Sequence, residues 1–243
     1  MLDFSSRVPV DRKVAIIYPL YGYSDGSKVL YKSRLKKITD DFVSGSHKCY
    51  NIFTFFKNTL SEEMANFLAT KGLANNALFV EVEGNNYGDL VNEGIKYLKT
   101  SNLDFSYVLC YTPVVEFFTP RDAVEYSLNY LNRGDIDMIS GTPKDEKISN
   151  NGREYLGVSS FYWGVSKQTS QILQFDTNYK TPYFFGSDLM NQMKTRINRI
   201  AIQSEHLAMR NDFQLSSFVK KEDYDSDKEA YKNKWRMVEN IKY

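Results

Sequence analysis

The sequence predicts an α/β protein with a doubly wound, mostly parallel sheet, related to the Rossmann fold, and a helical C-terminal extension. Strand-like and helix-like segments alternate for about 140 residues, which is the pattern of parallel strands joined by crossover helices. Several strand segments are continuous apolar runs, as expected where both faces of a sheet are covered. A chain of 243 residues, of which 42% are hydrophobic, can also bury a sizeable core.

Five strands are predicted in the first part of the chain. The first is KVAIIYPLYG, an apolar run that ends in proline and glycine. The next four, in chain order, are YNIFTFF, NALFVEVEGN, FSYVLCYT and IDMISGTP. Their β-prone apolar residues favour extended structure.

Four helices are predicted between these strands, in KVLYKSRLKKITDDFVSG, TLSEEMANFLATKG, YGDLVNEGIKYLKTSN and TPRDAVEYSLNYLNRG. In the first and third, apolar residues recur near helical spacing. Ser61 is the predicted N-cap of the second helix. In the fourth, Thr119 is the predicted cap, Pro120 occupies the first position and Gly134 lies beyond the end.

The pattern changes after residue 150. The segment NNGREYLGVSSFYWGVSKQTSQIL predicts an aromatic strand followed by a helix, and GSDLMNQMKTRINRIAIQSEHLAMR predicts a helix over residues 186–210. Residues 220–243 predict a charged helix that carries Tyr231 and Trp235. We interpret residues 1–243 as one domain, with a core over about residues 12–200 and a C-terminal helical extension over about residues 201–243.

Composition and motifs narrow the possible functions. The net charge of +1 argues against a generally polybasic nucleic-acid binder. The sequence contains no P-loop, no Gly-x-Gly-x-x-Gly stretch and no Ser-His-Asp order. It therefore gives little support to an NTPase, a dehydrogenase or a hydrolase. Cys49 and Cys110 lack the spacing of a zinc or redox motif and are predicted to be buried free thiols. No segment has the length and apolarity of a signal peptide or membrane span, so a soluble, cytoplasmic protein is expected.

The stretch YVLCYTPVVEFFTP combines a predicted strand with a sharp break at Thr112 and Pro113. In alternating α/β chains, ligands bind at the carboxyl ends of the strands. Glu116 is the only acidic residue in this stretch. The sequence therefore provides one carboxylate at most where a ligand is expected.

Several segments occur in an order known from one enzyme family. VAIIYPLYG forms the opening strand, Asn86-Tyr87-Gly88 and Asn92-Glu93-Gly94 follow the third strand, and FSYVLCYTPVVEFFTPRDAVEYSLNYL provides a central strand, turn and helix before IDMISG. In LQFDTNYKTPYFFGSDLMNQM, a Phe-Asp pair precedes an acidic residue and a helix. Over about residues 12–200 this order resembles the GT-A glycosyltransferases, and within them the family-2-like group. The resemblance implies a GT-A-like fold.

The chain departs from the family pattern at three places. Tyr111-Thr112-Pro113 stands where the family carries Asp-x-Asp, and after the second strand Lys57 and Asn58 stand near the place of the base-reading aspartate. The later Glu-Asp pair is reduced to Gly186-Ser187-Asp188. Magnesium prefers one or two carboxylates together with phosphate oxygens. Because the Asp-x-Asp carboxylates are missing from this sequence, no metal ligand is predicted. A divalent cofactor, manganese or magnesium, is possible but not required.

The resemblance implies transfer of a hexose or pentose from a nucleotide-sugar donor to an acceptor hydroxyl, for example that of a glycan. Asp188 is then the expected catalytic base, with a cap for a helix starting at Leu189 as the alternative. The donor is expected over the carboxyl ends of the first, third and fourth strands. The predicted donor-binding residues are Tyr18, Pro19, Tyr21, Asn86, Gly88, Asn92, Tyr111, Thr112 and Glu116.

Two other functional classes stay open at this point. The first is a non-catalytic binding or structural protein on the same scaffold, in which the missing carboxylates mark lost catalysis. The second is a viral-type glycosyltransferase that acts on modified bases in DNA, for which the tail supplies basic residues between Tyr224, Tyr231 and Trp235. The alternative interpretation of the same tail is an amphipathic helix that packs its aromatic residues on the domain.

Overall fold

The computed structural model describes residues 14–22, 31–33, 35–36, 49–68, 77–117, 123–133, 135–143, 154–156, 158–196, 201–210 and 219–239. These residues form one sheet with helices on both of its faces. The nine strands of the sheet are β1 (Val14–Pro19), β2 (Cys49–Phe56), β3 (Ala77–Val82), β4 (Tyr107–Tyr111), β5 (Glu116–Phe117), β6 (Met138–Pro143), β7 (Glu154–Leu156), β8 (Tyr162–Ser166) and β9 (Ala201–Arg210).

Residues 31–33 and 35–36 are helical, and six helices follow them in the described part of the chain. They are α1 (Glu62–Leu68), α2 (Tyr87–Thr100), α3 (Ala123–Asn132), α4 (Lys167–Ile172), α5 (Phe185–Asn191) and α6 (Lys221–Glu239). A 3₁₀ turn, Pro182–Phe184, leads into α5, and a π-helical turn, Gln192–Arg196, follows it.

The strand order is β3-β2-β1-β4-β8-β6-β9-β5, with β7 paired to β9. The pairs β3–β2, β2–β1 and β1–β4 are parallel. Strand β8 runs antiparallel to both β4 and β6, so β6 and its parallel neighbour β9 point in the direction of β4. Because six of the nine strands share one direction, their carboxyl ends lie at one edge of the sheet.

Both faces of the sheet are covered, and β1 shows this directly. Val14, Ile16 and Tyr18 pack into one core, to which α1 and α3 contribute. Ala15 and Ile17 pack into the opposite core, to which α2 and α5 contribute. A strand buried on both faces has no need for polar alternation, which explains the continuous apolar run of its sequence.

The predicted fold class is confirmed: the protein is α/β, with a doubly wound, mostly parallel sheet and a C-terminal helix. Each of the five strands predicted in the first part of the chain is present. Ser61 caps α1, since its Oγ accepts a hydrogen bond from the backbone N–H of Met64 at 3.3 Å. The predicted cap at Thr119, with Pro120 and Gly134, lies outside the described residues. The expectation of free, buried cysteines is confirmed for Cys49 and Cys110.

The predicted helix over residues 186–210 is wrong in its second half, because residues 201–210 form β9. Buried residues of β9 include Ile202, Ser204, Leu207 and Met209. The register with β6 shifts between Gly141 and Thr142, so that Ser204 faces Gly141 while Ala208 faces Thr142. Between these two pairs β9 advances by four residues while β6 advances by one, so the irregularity interrupts the two-residue period of the strand.

Helix α6 packs against the segment that leads into α5. Trp235 is buried, and Tyr231 Oη accepts a hydrogen bond from the side-chain amide of Asn191 at 2.9 Å. The aromatic ring of Phe184 lies 5.5 Å from that of Tyr231. No helix among the described residues is long and apolar enough to cross a membrane.

Candidate functional site

The carboxyl edge of β1 to β4 is the part of the fold where the sequence places a ligand. Strand β1 ends at Pro19 and continues into Tyr21 and Gly22, whose φ of 74° requires the freedom of glycine. Helix α2 begins beside it after Asn86, and β4 ends at Tyr111. Open α/β folds bind ligands at such an edge, which makes it the candidate site.

A network of neutral hydroxyl groups lies below the end of β4. The Tyr87 hydroxyl donates to the carbonyl oxygen of Ser160 at 2.7 Å and pairs with Thr112 Oγ1 at 2.7 Å. Both side chains are completely buried, and burial raises the pKa of Tyr87 far above its usual range. Thr112 is further fixed by its backbone N–H, which donates to the carbonyl oxygen of Phe161 at 2.8 Å. We call Tyr87, Thr112 and Ser160 the hydroxyl network.

The predicted donor-binding residues of β1 and β4 are mostly buried. The Tyr18 ring stacks on Phe53 with centroids 4.7 Å apart, and its hydroxyl donates to Asn51 at 3.0 Å. The Tyr111 ring lies edge-on to Tyr18 at 6.3 Å, and Pro19 is buried at the end of β1.

Tyr21 differs from these residues because it is half-buried at the edge. Its hydroxyl donates to the carbonyl oxygen of Lys180 at 3.2 Å, and its ring lies edge-on to Tyr87 at 5.8 Å. Burial, together with the charges of Asp227 and Asp223, raises its pKa to about 12. Tyr21 is therefore a neutral phenol at physiological pH.

The start of α2 holds the next three predicted residues. Asn86 is the N-cap and forms a capping box with Asp89, and its side-chain amide donates to the carbonyl oxygen of Thr177 at 3.0 Å. Six residues further along, Asn92 donates to the Phe175 carbonyl at 2.9 Å and accepts from its N–H at 3.0 Å. Gly88 lies between them, where a Cβ atom would come within 3.0 Å of the Phe185 ring.

The residues at the end of β4 do not fit a divalent metal. The side chain at 112 is a hydroxyl held within the hydroxyl network, and the flanking Tyr111 and Pro113 supply no carboxylate. Glu116 begins β5 at the far side of the sheet, in register with Arg210 of β9. Among the described residues, no group of three or more histidine, cysteine, aspartate or glutamate side chains is positioned to hold a metal ion.

Asp188 is buried, with 1% of its surface exposed, and both of its oxygens are engaged. Its Oδ1 accepts from the Trp235 indole N–H at 2.8 Å and the Tyr179 hydroxyl at 3.2 Å, and Gln192 Nε2 donates to its Oδ2 at 2.7 Å. Lys234 Nζ lies 2.8 Å from Oδ1. Since α5 begins at Phe185, the alternative in which Asp188 caps a helix starting at Leu189 is wrong.

Asp188 belongs to an ionic network that the sequence did not reveal. Lys234 Nζ also lies 2.8 Å from Oδ2 of Asp176, so one lysine bridges two carboxylates. We call Asp176, Asp188, Lys234 and Trp235 the carboxylate network. Burial acts to raise the pKa of Asp176, but hydrogen bonds from Lys234 and Asn178 outweigh it and hold the pKa below its usual range.

A second buried carboxylate fixes α6 to the same segment. Asp227 accepts from the backbone N–H groups of Lys180 at 2.9 Å and Thr181 at 2.8 Å, and from the Thr181 hydroxyl at 2.7 Å. Asp227, Tyr231, Lys234 and Trp235 follow the i, i+4, i+7, i+8 spacing of one helix face. That spacing, in a helix otherwise dominated by exposed charge, was the available signal for this contact surface.

The two networks are adjacent. The backbone N–H of Gly186, at the start of α5, donates to Ser160 Oγ at 2.8 Å, and the Phe185 ring lies edge-on to Tyr87 at 5.1 Å. The structure thus brings Tyr21, Asn86, Gly88, Asn92, Thr112 and Asp188 around the segment from residue 174 to residue 188. Glu116 lies on β5, which is at the end of the strand order opposite to β3.

Comparison with known proteins identifies the fold. No protein-family model matches the sequence, and no curated protein matches it. Among solved structures, the chain is similar to TarS of S. aureus, a glycosyltransferase, with a TM-score of 0.53 and 11% sequence identity. The match covers 85% of this chain but 38% of the TarS chain, so this chain spans well under half of that protein's length. The likeness shows a glycosyltransferase-like fold.

Proposed function

We propose that this protein transfers a sugar from a nucleotide-sugar donor to an acceptor hydroxyl. The observation that carries the proposal is the fold, which is similar to that of a glycosyltransferase over 85% of the chain. The parallel strands β3, β2, β1 and β4 also end at one edge, where α/β folds bind their ligands. The donor is proposed to lie along this edge, over the ends of β1, β3 and β4.

Within the predicted donor-binding set, Tyr21 is the proposed contact for the nucleotide base. It is the half-buried aromatic residue at the end of β1, whereas the rings of Tyr18 and Tyr111 are buried and would support the edge from below. Asn86, Gly88 and Asn92 hold residues 175–177 against α2 and would shape the side of the site. The involvement of Glu116 stays a prediction.

Asp188 is the proposed general base, which removes the proton from the acceptor hydroxyl as that hydroxyl attacks the sugar. Every partner of its carboxylate is a hydrogen-bond donor, and donors of this kind stabilise a negative charge. For the proton to reach Asp188, the acceptor hydroxyl has to replace one of these donors. The exchange would involve Trp235 or Lys234, which both lie on α6.

We propose that transfer proceeds without a metal ion at the end of β4. The support is the donor set there, in which Thr112 is committed to the hydroxyl network and its neighbours carry no carboxylate. An acidic pair of the Asp-x-Asp kind would be needed to hold a metal–diphosphate complex in the usual manner.

A second candidate function is a non-catalytic scaffold that binds a ligand or a partner. The observation that favours it is the state of Asp188, which is buried, accepts three hydrogen bonds and pairs with Lys234. A carboxylate in this environment can serve as a structural anchor for α6. Action on modified DNA bases stays a prediction, which salt-dependent DNA binding would test.

Donor binding is the first test of the proposal. A thermal-shift panel would compare UDP-, GDP-, CMP- and dTDP-sugars, each with EDTA, magnesium or manganese. A donor present at a hundred times its Kd adds about 2.7 kcal/mol to the free energy of unfolding. We expect a shift with one nucleotide class that is unchanged by EDTA. A shift that requires manganese would contradict metal independence, and no shift with any donor would favour the non-catalytic scaffold.

Substitution of Asp188 tests the role of the base. We expect Asp188→Asn to lower the rate of transfer by roughly 10²–10⁴-fold, measured below the melting temperature of the variant. The matched control is Trp235→Phe, which removes one donor from the same carboxylate but keeps its charge. If both variants lose activity equally, the loss comes from the junction with α6 and Asp188 is not the base.

A further inference from the structure

A cavity lies beside the candidate site, at the junction of α2, the segment before α5, and α6. Its volume is about 360 Å³, and it is lined by residues 174–178 together with Asn92, Gln192 and Lys234. Small-molecule sites span roughly 300–1,000 Å³, whereas one water occupies about 30 Å³ of liquid. The cavity is therefore large enough for a small organic ligand.

Two groups on the wall keep hydrogen-bonding capacity for a ligand. Gln192 uses both hydrogens of its amide, one on the Gln174 carbonyl at 3.0 Å and one on Asp188 at 2.7 Å, which leaves its carbonyl oxygen as an acceptor. Lys234 donates one hydrogen bond to Asp176 and forms an ion pair with Asp188, and an ammonium group carries three hydrogens, so it keeps donor capacity for a ligand. Among the described residues, no further hydrogen-bond partner is found for either group.

The charges around the cavity select against ionic ligands. Lys234 pairs with Asp176 on the wall and also with Asp188, which is not itself part of the lining. A small anion would meet two carboxylates, and a cation would have to displace a lysine that already bridges them. The remaining polar side chains on the wall are the amides of Asn92, Gln174 and Asn178 and the hydroxyl of Thr177. These groups match a ligand that carries several hydroxyl groups and no charge.

We propose that this cavity binds one neutral sugar ring, or a cyclic polyol of the same size. The proposal goes beyond sugar transfer at the carboxyl edge, because binding here requires neither a nucleotide nor a reaction. It also connects the ligand to the carboxylate network, since Lys234 faces both the cavity and Asp188.

Saturation-transfer-difference NMR on the full chain tests the proposal with free ligands. The probes are glucose, galactose, N-acetylglucosamine and myo-inositol, compared with glucose 6-phosphate and glucosamine as charged analogues. A ligand of this size in a site with few polar anchors is expected to bind with a Kd on the order of 1 mM. We expect a saturable signal from at least one neutral ring and at least tenfold weaker binding of its charged analogue.

Substitutions that fill the cavity localise the signal. In Thr177→Trp the exposed threonine side chain is replaced by an indole, while its backbone carbonyl remains available to Asn86. Gln174→Trp is the second variant, in case the first perturbs the turn. Thr100→Trp, at the exposed end of α2, is the matched control. We expect the signal to be lost in both cavity variants and kept in the control.

Three outcomes would overturn the proposal. One is the absence of a signal from every neutral ring with folded wild-type protein. Another is an undiminished signal in both cavity variants, which would place the ligand elsewhere. A preference for the phosphate or the amine would show that the cavity recognises charge. A donor-dependent thermal shift with nucleotide-sugars is unaffected by these outcomes, so failure here is distinguishable from failure of the proposed transferase.

Discussion

The hydroxyl network and the carboxylate network are neighbours that satisfy buried polar groups in different ways. Tyr87, Thr112 and Ser160 form neutral hydrogen bonds of about 2.7 Å at the end of β4. Asp176, Asp188, Lys234 and Trp235 combine ion pairs and charge-assisted hydrogen bonds of 2.8 Å at the junction with α6. The backbone of Gly186 connects the two networks through Ser160.

The comparison shows where the charged side chains lie relative to the end of β4. The end of β4 is neutral, while the charged groups lie one layer away and depend on a helix from the end of the described chain. A neutral buried hydrogen bond contributes about 1 kcal/mol, but a buried carboxylate that loses its partners costs several times more. Removing one group from each network should therefore have unequal effects.

The largest effect is expected for Asp188→Ala. This substitution leaves three donors without their acceptor and removes one of the two ion pairs of Lys234. We expect the free energy of unfolding to fall by about 3–5 kcal/mol. Urea denaturation measures the loss. Asp225→Ala, at an exposed position of α6, is the control and should stay within about 0.5 kcal/mol of the wild type. A cost below about 1 kcal/mol for Asp188→Ala would mean that the carboxylate network does not anchor α6.

Gly186→Ala should break the connection between the networks. An added Cβ would lie 2.1 Å from the carbonyl oxygen of Val158, which is backbone and cannot rotate away. We expect a loss of about 2–3 kcal/mol, near the upper end of overpacking costs. Gly88→Ala is the matched control, since it is also helical but meets the Phe185 ring at 3.0 Å. Equal losses in thermal unfolding would contradict a rigid contact at Gly186.

A smaller loss, about 1 kcal/mol, is expected for Thr112→Val. The variant keeps the shape of the side chain, and the Tyr87 hydroxyl keeps the Ser160 carbonyl as its acceptor. Denaturant unfolding of this variant can be compared directly with that of Asp188→Ala. A loss above about 3 kcal/mol would show that the neutral network is as costly to disturb as the charged one.

The smallest effect at neutral pH concerns the thiols. Burial raises the pKa of Cys49 to about 12 and shifts the pKa of Cys110 in the same direction. A thiol in the unfolded chain has a pKa of about 8.5, so both pKa values are higher in the folded protein. The contribution of the neutral thiols to the free energy of unfolding is therefore complete below about pH 8.5 and is lost as the pH rises towards 12. We expect neither thiol to react with Ellman's reagent at about pH 8 until the protein is unfolded.

The Cys49→Ser variant isolates Cys110, whose Sγ lies 3.9 Å from the Tyr87 hydroxyl. Its reaction rate then reports local opening of the hydroxyl network. Rapid modification of Cys110 in the folded protein would show that this side of the site opens readily.

The sequence predicted the first half of the fold well, because its strands are buried on both faces and retain their apolar character throughout. Strand β9 was missed because an irregularity in its register with β6 interrupts the two-residue period. Gly88 was predicted to bind the donor, and the structure adds that Phe185 and Asp176 are its neighbours in the protein. Contacts such as Trp235 with Asp188 join residues far apart in the chain, and neither propensity nor periodicity encodes such pairing.

The position of β9 also constrains the order in which the protein can assemble. Strands β1 to β4 pair with one another and are complete once residue 111 has been made. Strand β6 cannot pair with its parallel partner β9 until residues 201–210 have been synthesised. Strands β5 and β7 also pair with β9 and depend on the same residues. Pairing over such separations is slow, and it leaves strand edges exposed in the meantime. During synthesis on the ribosome, this half of the sheet is the part most in need of protection from aggregation.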